Sequence, residues 1–129
     1  MTIHPTAIIS PHAKLADDIL VGPGVVIGER VEIGSGCVLQ AHSVIESDTT
    51  IGSDNTIGYG AVIGAAPQDY AHSAEIRSSV VIGNNNRIRE YATIHRGTKD
   101  GTVTRIGHHC FLMVGVHVGH NCEVGDGAI

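Results

Sequence analysis

The 129-residue sequence has no tryptophan, one phenylalanine and three tyrosines. A core with so few aromatics has to be filled by aliphatic side chains at regular spacing. Cationic residues are also scarce: eight Lys and Arg against 13 Asp and Glu leave a formal net charge of −5. That balance argues against nucleic acid as the main partner, because there is no basic excess to neutralise phosphates. No apolar run approaches the roughly 18 residues needed to cross a bilayer. The opening Met1-Thr2-Ile3-His4-Pro5 has neither a cationic region nor an apolar stretch, so no signal peptide is expected. The three cysteines are odd in number and form no Cys-x-x-Cys pair, which points to a reducing, cytoplasmic setting.

What the sequence does have is glycine, 17 of them, and a period. Steps of six from Ile3 meet Ile9, Leu15, Val21, Ile27, Ile33, Leu39, Ile45, Ile51, Ile57 and Ile63 without a failure. The pattern lapses at Asp69 and Glu75 and resumes one residue late at Ile82, Ile88 and Ile94. It lapses again at Asp100 and then runs through Ile106, Leu112, Val118 and Val124. A period of six suits neither an α-helix nor a hairpin meander. It divides into a short strand and a tight turn, with each unit stacked on the one a turn below, as in a parallel β-helix. The position two before each aliphatic should also point inward, and it holds small or apolar groups throughout. Cys37, Cys110 and Cys122 all occupy it, which predicts three shielded core thiols rather than nucleophiles or metal ligands.

The chain therefore reads as a single all-β domain over 1–129, with coils at 1–64 and 82–129. Two excursions, about 65–81 and 95–105, protrude from it and are where binding residues are expected. With three hexads to a turn, the outward residues form three columns. The first reads Ile8, Val26, Val44, Val62 and Val81, then Lys99 within the second excursion and His117. The second reads Leu20, Val38, Thr56, Thr93 and Phe111, and the third Lys14, Glu32, Thr50, Arg87, Arg105 and Glu123. The first is an apolar stripe that would be costly to leave in water, so another subunit is expected to cover it. His117 extends that column and His120 lies three residues on, which makes both stronger functional candidates than the seven other histidines.

Particular motifs narrow the reading. Pro67-Gln68-Asp69, Asn86-Arg87-Ile88-Arg89-Glu90, Thr93-Ile94-His95-Arg96-Gly97-Thr98 and Val116-His117-Val118-Gly119-His120-Asn121-Cys122 follow one another in order. Together they resemble the UDP-N-acetylglucosamine O-acyltransferase of lipid A biosynthesis, within the hexapeptide-repeat acyltransferase superfamily. The resemblance implies a left-handed parallel β-helix, a triangular prism assembled as a homotrimer, and no cofactor or metal. It implies transfer of a 3-hydroxyacyl chain from acyl carrier protein to the 3-hydroxyl of UDP-N-acetylglucosamine, the first step of lipid A biosynthesis. His120 matches the general base, His117 its companion at the substrate, Gln68 and Asp69 residues near the sugar nucleotide, and His95 one lining the cleft. A histidine, with a reference pKa near 6.5, suits proton removal from a sugar hydroxyl at neutral pH.

The sequence departs from the family pattern at two positions. Ala71 stands where a lysine is common, and Asn121 follows His120 where the family often has Asp. The family continues through further coils into a helical C-terminal domain, so this chain reads as part of a longer protein. Two other readings remain at this point. One is a non-catalytic trimeric scaffold. The other is a zinc protein like the γ-class carbonic anhydrases, for which His117 and His120 would supply two of the three histidine ligands required.

Overall fold

In the computed structural model, which describes residues 1–70, 73 and 75–129, the regular structure is eighteen strands of two to four residues. They stack into three parallel six-stranded sheets, the faces of a left-handed β-helical prism. The first face holds β1 (Thr2–Ile3), β4 (Leu20–Val21), β7 (Val38–Leu39), β10 (Thr56–Ile57), β13 (Arg87–Ile88) and β16 (Phe111–Leu112). The second holds β2 (Ile8–Ile9), β5 (Val26–Ile27), β8 (Val44–Ile45), β11 (Val62–Ala65), β14 (Thr93–His95) and β17 (His117–Val118). The third holds β3 (Lys14–Leu15), β6 (Val31–Ile33), β9 (Thr49–Ile51), β12 (Ser79–Ile82), β15 (Val103–Ile106) and β18 (Glu123–Val124).

The period-six aliphatics are the core. Ile27, Ile45, Ile63 and Ile94 stack on the second face, and Ile33, Ile51, Ile82 and Ile106 on the third, all buried. The partner inward position carries a second buried row, from Ile19, Val25 and Val31 upward. Two of its members are asparagines and are fully hydrogen-bonded, as burial of an amide requires. Asn55 Nδ2 donates to the Gly83 carbonyl and its Oδ1 accepts from Asn86 N. The Asn86 side chain then donates to Gly107 O and accepts from Cys110 N.

Corners turn through left-handed residues. At the second-to-third corner these are Arg30, Asp48 and Asn121, with φ of 55°, 50° and 66°. The coils approach closely there: a Cβ on Gly28 would collide with the Glu46 carbonyl, so only glycine fits.

Register corrects the outward columns. Ile8, Val26, Val44 and Val62 pair in steps of 18, but Val62 then pairs with Thr93 and Thr93 with His117. Val81 is not on the apolar stripe: it pairs with Thr50 and Arg105 on the third face. Arg87 pairs with Thr56 and Phe111 on the first face rather than extending the charged column. Lys99 lies in a loop, between β14 and β15. The cause is that an excursion leaves and re-enters at one corner, so its length has no bearing on which face comes next. Counting it in hexads displaces Val81, Arg87 and Thr93 by one face. The second excursion restores the phase, which is why His117 falls in its expected column.

The excursions are also tighter than 65–81 and 95–105. Strand pairing between β12 and β15 claims Ser79 and Val103, leaving loops 66–78 and 96–102. Both leave the second face and rejoin the third, so they stack at one corner, with the Asn121 turn above them.

Cys122 is a further correction. Cys37 and Cys110 are buried, and burial raises the Cys37 thiol above its ordinary value. Cys122 is exposed, in the coil of β18, over which no further coil stacks among the described residues. In the 129-residue chain a bulky maleimide should therefore modify Cys122 readily and Cys37 and Cys110 slowly. Mass spectrometry of the labelled peptides checks this, and equal rates at all three would contradict the packing described.

Candidate active site

The shared corner of the second and third faces gathers four of the five side chains singled out in the sequence. His117 projects outward from β17 beside its cross-strand neighbour Thr93, and Thr93 Oγ1 and His117 Nδ1 share a hydrogen bond at 2.7 Å. His95 ends β14 and meets the His117 ring edge to face, with centroids 4.8 Å apart and an interplanar angle of 81°. His120 follows at the corner. From the first loop, Asp69 reaches across so that its Oδ2 lies 3.6 Å from His120 Nε2. Gln68, Asp69 and Tyr70 line a shallow pocket beside it. Gln68 is thus near the cluster through its neighbour, while Ala71 lies outside the described residues.

His120 is oriented from its other nitrogen. Its Nδ1 lies 3.0 Å from Asn121 Oδ1, and Asn121 is itself fixed, its backbone N–H donating to Thr104 Oγ1 at 3.0 Å. The second loop decides which way the Asn121 amide points. Thr98 N donates to Asn121 Oδ1 at 3.3 Å, so that atom is the carbonyl oxygen. His120 Nδ1 must then carry a hydrogen to bond to it, and in the neutral ring Nε2 has the lone pair, on the side that faces Asp69. The neutral amide does what a carboxylate often does next to a catalytic histidine, fixing the tautomer. The negative charge at this ring comes instead from Asp69, at Nε2.

Thr93, Thr98 and Thr104 are the residues that reading the sequence missed. Thr93 could have been recognised beside His117 once the face shift was known. Thr98 acts through its backbone N–H, for which residue type gives no signal.

Burial lowers the His95 pKa, and the neighbouring His117 and His120 lower it further against an opposing pull from Glu46. A pKa held down on folding favours the neutral ring, so this contribution to stability is present above the ordinary histidine value and is lost as pH falls below it. Among the described residues no three His, Cys, Asp or Glu side chains converge as a metal site.

Comparison with known proteins agrees with this architecture. Residues 30–65 match the model described as bacterial transferase hexapeptide (six repeats). The acyl-[acyl-carrier-protein]–UDP-N-acetylglucosamine O-acyltransferase of Sulfurihydrogenibium is 58% identical over 123 residues, which is 95% of this chain and 45% of that protein. The protein of the same name from Thiobacillus denitrificans is 56% identical over 129 residues, 99% of this chain and 50% of that one. Among solved structures, the UDP-N-acetylglucosamine acyltransferase of Francisella novicida superposes with a TM-score of 0.94 at 44% identity, covering 97% of this chain and 46% of that one. The Moraxella catarrhalis UDP-N-acetylglucosamine O-acyltransferase gives 0.92 at 46% identity, covering 97% and 49%. The prism of six-residue rungs is that of the hexapeptide-repeat transferases. Over the stretch it shares with these proteins, the chain belongs to the UDP-N-acetylglucosamine O-acyltransferase family. It spans about half the length of the curated relatives it matches.

The site generates a titration test. Followed by NMR through its ring protons, His95 should titrate below the ordinary histidine range. In His117→Ala it should move only part of the way back, because burial, the larger cause, persists. Full return to the ordinary value in that variant would make His117 the dominant cause.

Proposed function

We propose that this chain forms the catalytic part of an enzyme that moves a 3-hydroxyacyl group from acyl carrier protein to the 3-hydroxyl of UDP-N-acetylglucosamine, the step that opens lipid A biosynthesis. The observation that carries the reading is His120, with Nδ1 hydrogen-bonded to Asn121 and Nε2 facing Asp69 on the loop that also bears Gln68. Its support is the identity to enzymes of that name along almost the whole chain.

In this mechanism His120 Nε2 accepts the proton of the sugar hydroxyl as its oxygen attacks the thioester carbonyl carbon. Collapse of the tetrahedral adduct breaks the carbon–sulfur bond, and the departing thiolate of the carrier protein takes the proton back from the imidazolium. A thioester is already activated, so neither step calls on a covalent enzyme intermediate. Asp69 lies where it can stabilise the ring while it carries positive charge, and with Gln68 it is the proposed sugar-nucleotide contact. His117 and His95 are assigned to the substrate cleft, where a neutral His95 leaves the cluster with one fewer positive charge to accommodate.

The working form is proposed to be a homotrimer in the cytoplasm. Ile8 is largely exposed, and Val26, Val44 and Val62 are half-buried, on the face that Thr93 and His117 continue. Burying the rest of these four side chains gains on the order of 5 kcal/mol per stripe before association costs. Cyclic symmetry closes such a face without leaving a free edge, and it sets His117 between subunits.

Replacing His120 with Ala in the active full-length chain should lower kcat by about 10²-fold or more, the usual scale for losing general-base catalysis. Near-normal turnover would sink the assignment. Val44→Asp combined with Val62→Asp should give a dissociated, inactive protein. Light scattering and an acyl-transfer assay on the same sample read both properties, and a fully active monomer would refute the intersubunit site.

A further inference from the structure

Beneath the two loops, at the corner that carries them, three guanidinium groups converge on one carboxylate. Asp48 turns the coil with φ of 50°, and only 14% of its side chain is exposed. Arg30, one turn below, donates from Nε to Asp48 Oδ1 at 2.7 Å and from a terminal nitrogen to Oδ2 at 3.3 Å. Arg77, where the first loop returns to β12, approaches Oδ1 at 3.6 Å. Arg96, where the second loop departs from β14, approaches Oδ2 at 3.9 Å and is 12% exposed. Burial works to raise the Asp48 carboxyl, but the Arg30 hydrogen bond and the surrounding guanidinium charges outweigh it and hold the group below its ordinary value. The carboxylate is therefore charged at neutral pH. Glu29 pairs with Arg30 at 3.2 Å and lies 3.5 Å from His12 Nδ1.

The same arginines grip the loop ends through the backbone. Arg96 Nε donates to the carbonyl of Gly64 and Arg96 N to that of Ala65, both at 2.8 Å, at the point where the first loop leaves β11. At its return, Arg77 N donates to Asp100 Oδ1 at 2.6 Å and Arg77 O accepts from Gly101 N at 2.9 Å, which binds the first loop to the second. Ser78 Oγ donates to Gly97 O at 2.7 Å beside them. One carboxylate is thus connected to the departure of the first loop, to its return and to the departure of the second.

We propose that Asp48 is a positioning residue for the site: through Arg77 and Arg96 it staples the bases of both loops and so sets the places of Asp69 and of the Thr98 N–H that fixes Asn121 and His120. The catalytic part of this statement rests on the transferase reading above; the mechanical part does not.

The test is native-state amide exchange of the full-length chain, compared for the wild type, Asp48→Asn, Arg77→Gln and Arg30→Gln. In Asp48→Asn, the amides of Arg77, Thr98 and Gly101 should exchange about 10-fold faster or more, as local opening of the loops predicts, while those of Val26, Val44 and Val62 keep their protection. Arg77→Gln, at a side chain that is mostly exposed, should accelerate Arg77 and Gly101 without unfolding the coils. It keeps the idea testable should Asp48→Asn fold poorly. Arg30→Gln removes a partner of Asp48 that touches neither loop and should leave loop exchange as in wild type. Under the transferase reading, Asp48→Asn also raises KM for UDP-N-acetylglucosamine by about 10-fold, with a smaller fall in kcat, because misplacement of contact groups weakens substrate binding. Asp48→Glu should recover part of that loss. Unchanged loop exchange in both Asp48→Asn and Arg77→Gln, or equal acceleration in coils and loops, overturns the proposal. A wild type without transferase activity but with the expected exchange pattern overturns the function and leaves the staple standing.

Discussion

Every feature of this protein depends on one packing constraint: an aliphatic side chain must lie on the aliphatic one turn below. Six residues supply a strand, an inward pair and a corner, and three such units return the chain to its starting face. Because each coil is a template for the next, a side chain's position on the outside follows from the row it interrupts on the inside. His117 stands above Thr93 and Val62 because Val118, Ile94 and Ile63 are stacked within. The strands themselves, two to four residues long, have little stability alone and hold only as members of the stack.

This constraint also explains what could be read from the sequence. The inward rows and the strand positions are local, recur over eighteen strands, and were legible. The faces between the two loops, those of Val81, Arg87 and Thr93, were not, because a loop that leaves and rejoins at one corner carries no information in its length. Cys122 looked like Cys37 and Cys110 because the repeat records which way a side chain points but not whether another coil covers it. At the site, motif order gave His117, His120, Gln68, Asp69 and His95. The hydrogen bond that fixes the His120 tautomer was hidden, since its deciding donor is the main chain of Thr98. Arg30 and Asp48, 18 apart, could have been read as stacked, but Arg77 and Arg96 join them only through the path of the loops.

The prism divides labour between its parts. Faces are rigid and repetitive and suit association, whereas the corner admits insertions without disturbing the rungs. The proposed chemistry sits where these meet, with histidines set by strands and the acidic and amide groups delivered by loops. That arrangement lets the reacting atoms be held by the stack while the surroundings of the substrate vary in length and composition.

The buried asparagines have a further consequence. Successive rungs are so alike that the chain could thread itself with a coil displaced by one hexad, at small cost in aliphatic contact, and the long first loop is where such an error would enter. Asn55 lies before that loop and its amide bonds across it, Oδ1 accepting from Asn86 N and Nδ2 donating to Gly83 O. A rung that failed to present those main-chain groups would leave a buried amide unmatched, at about 1–3 kcal/mol. Each asparagine thus rivets its coil to the next from within, Asn55 across the long loop and Asn86 across the shorter one.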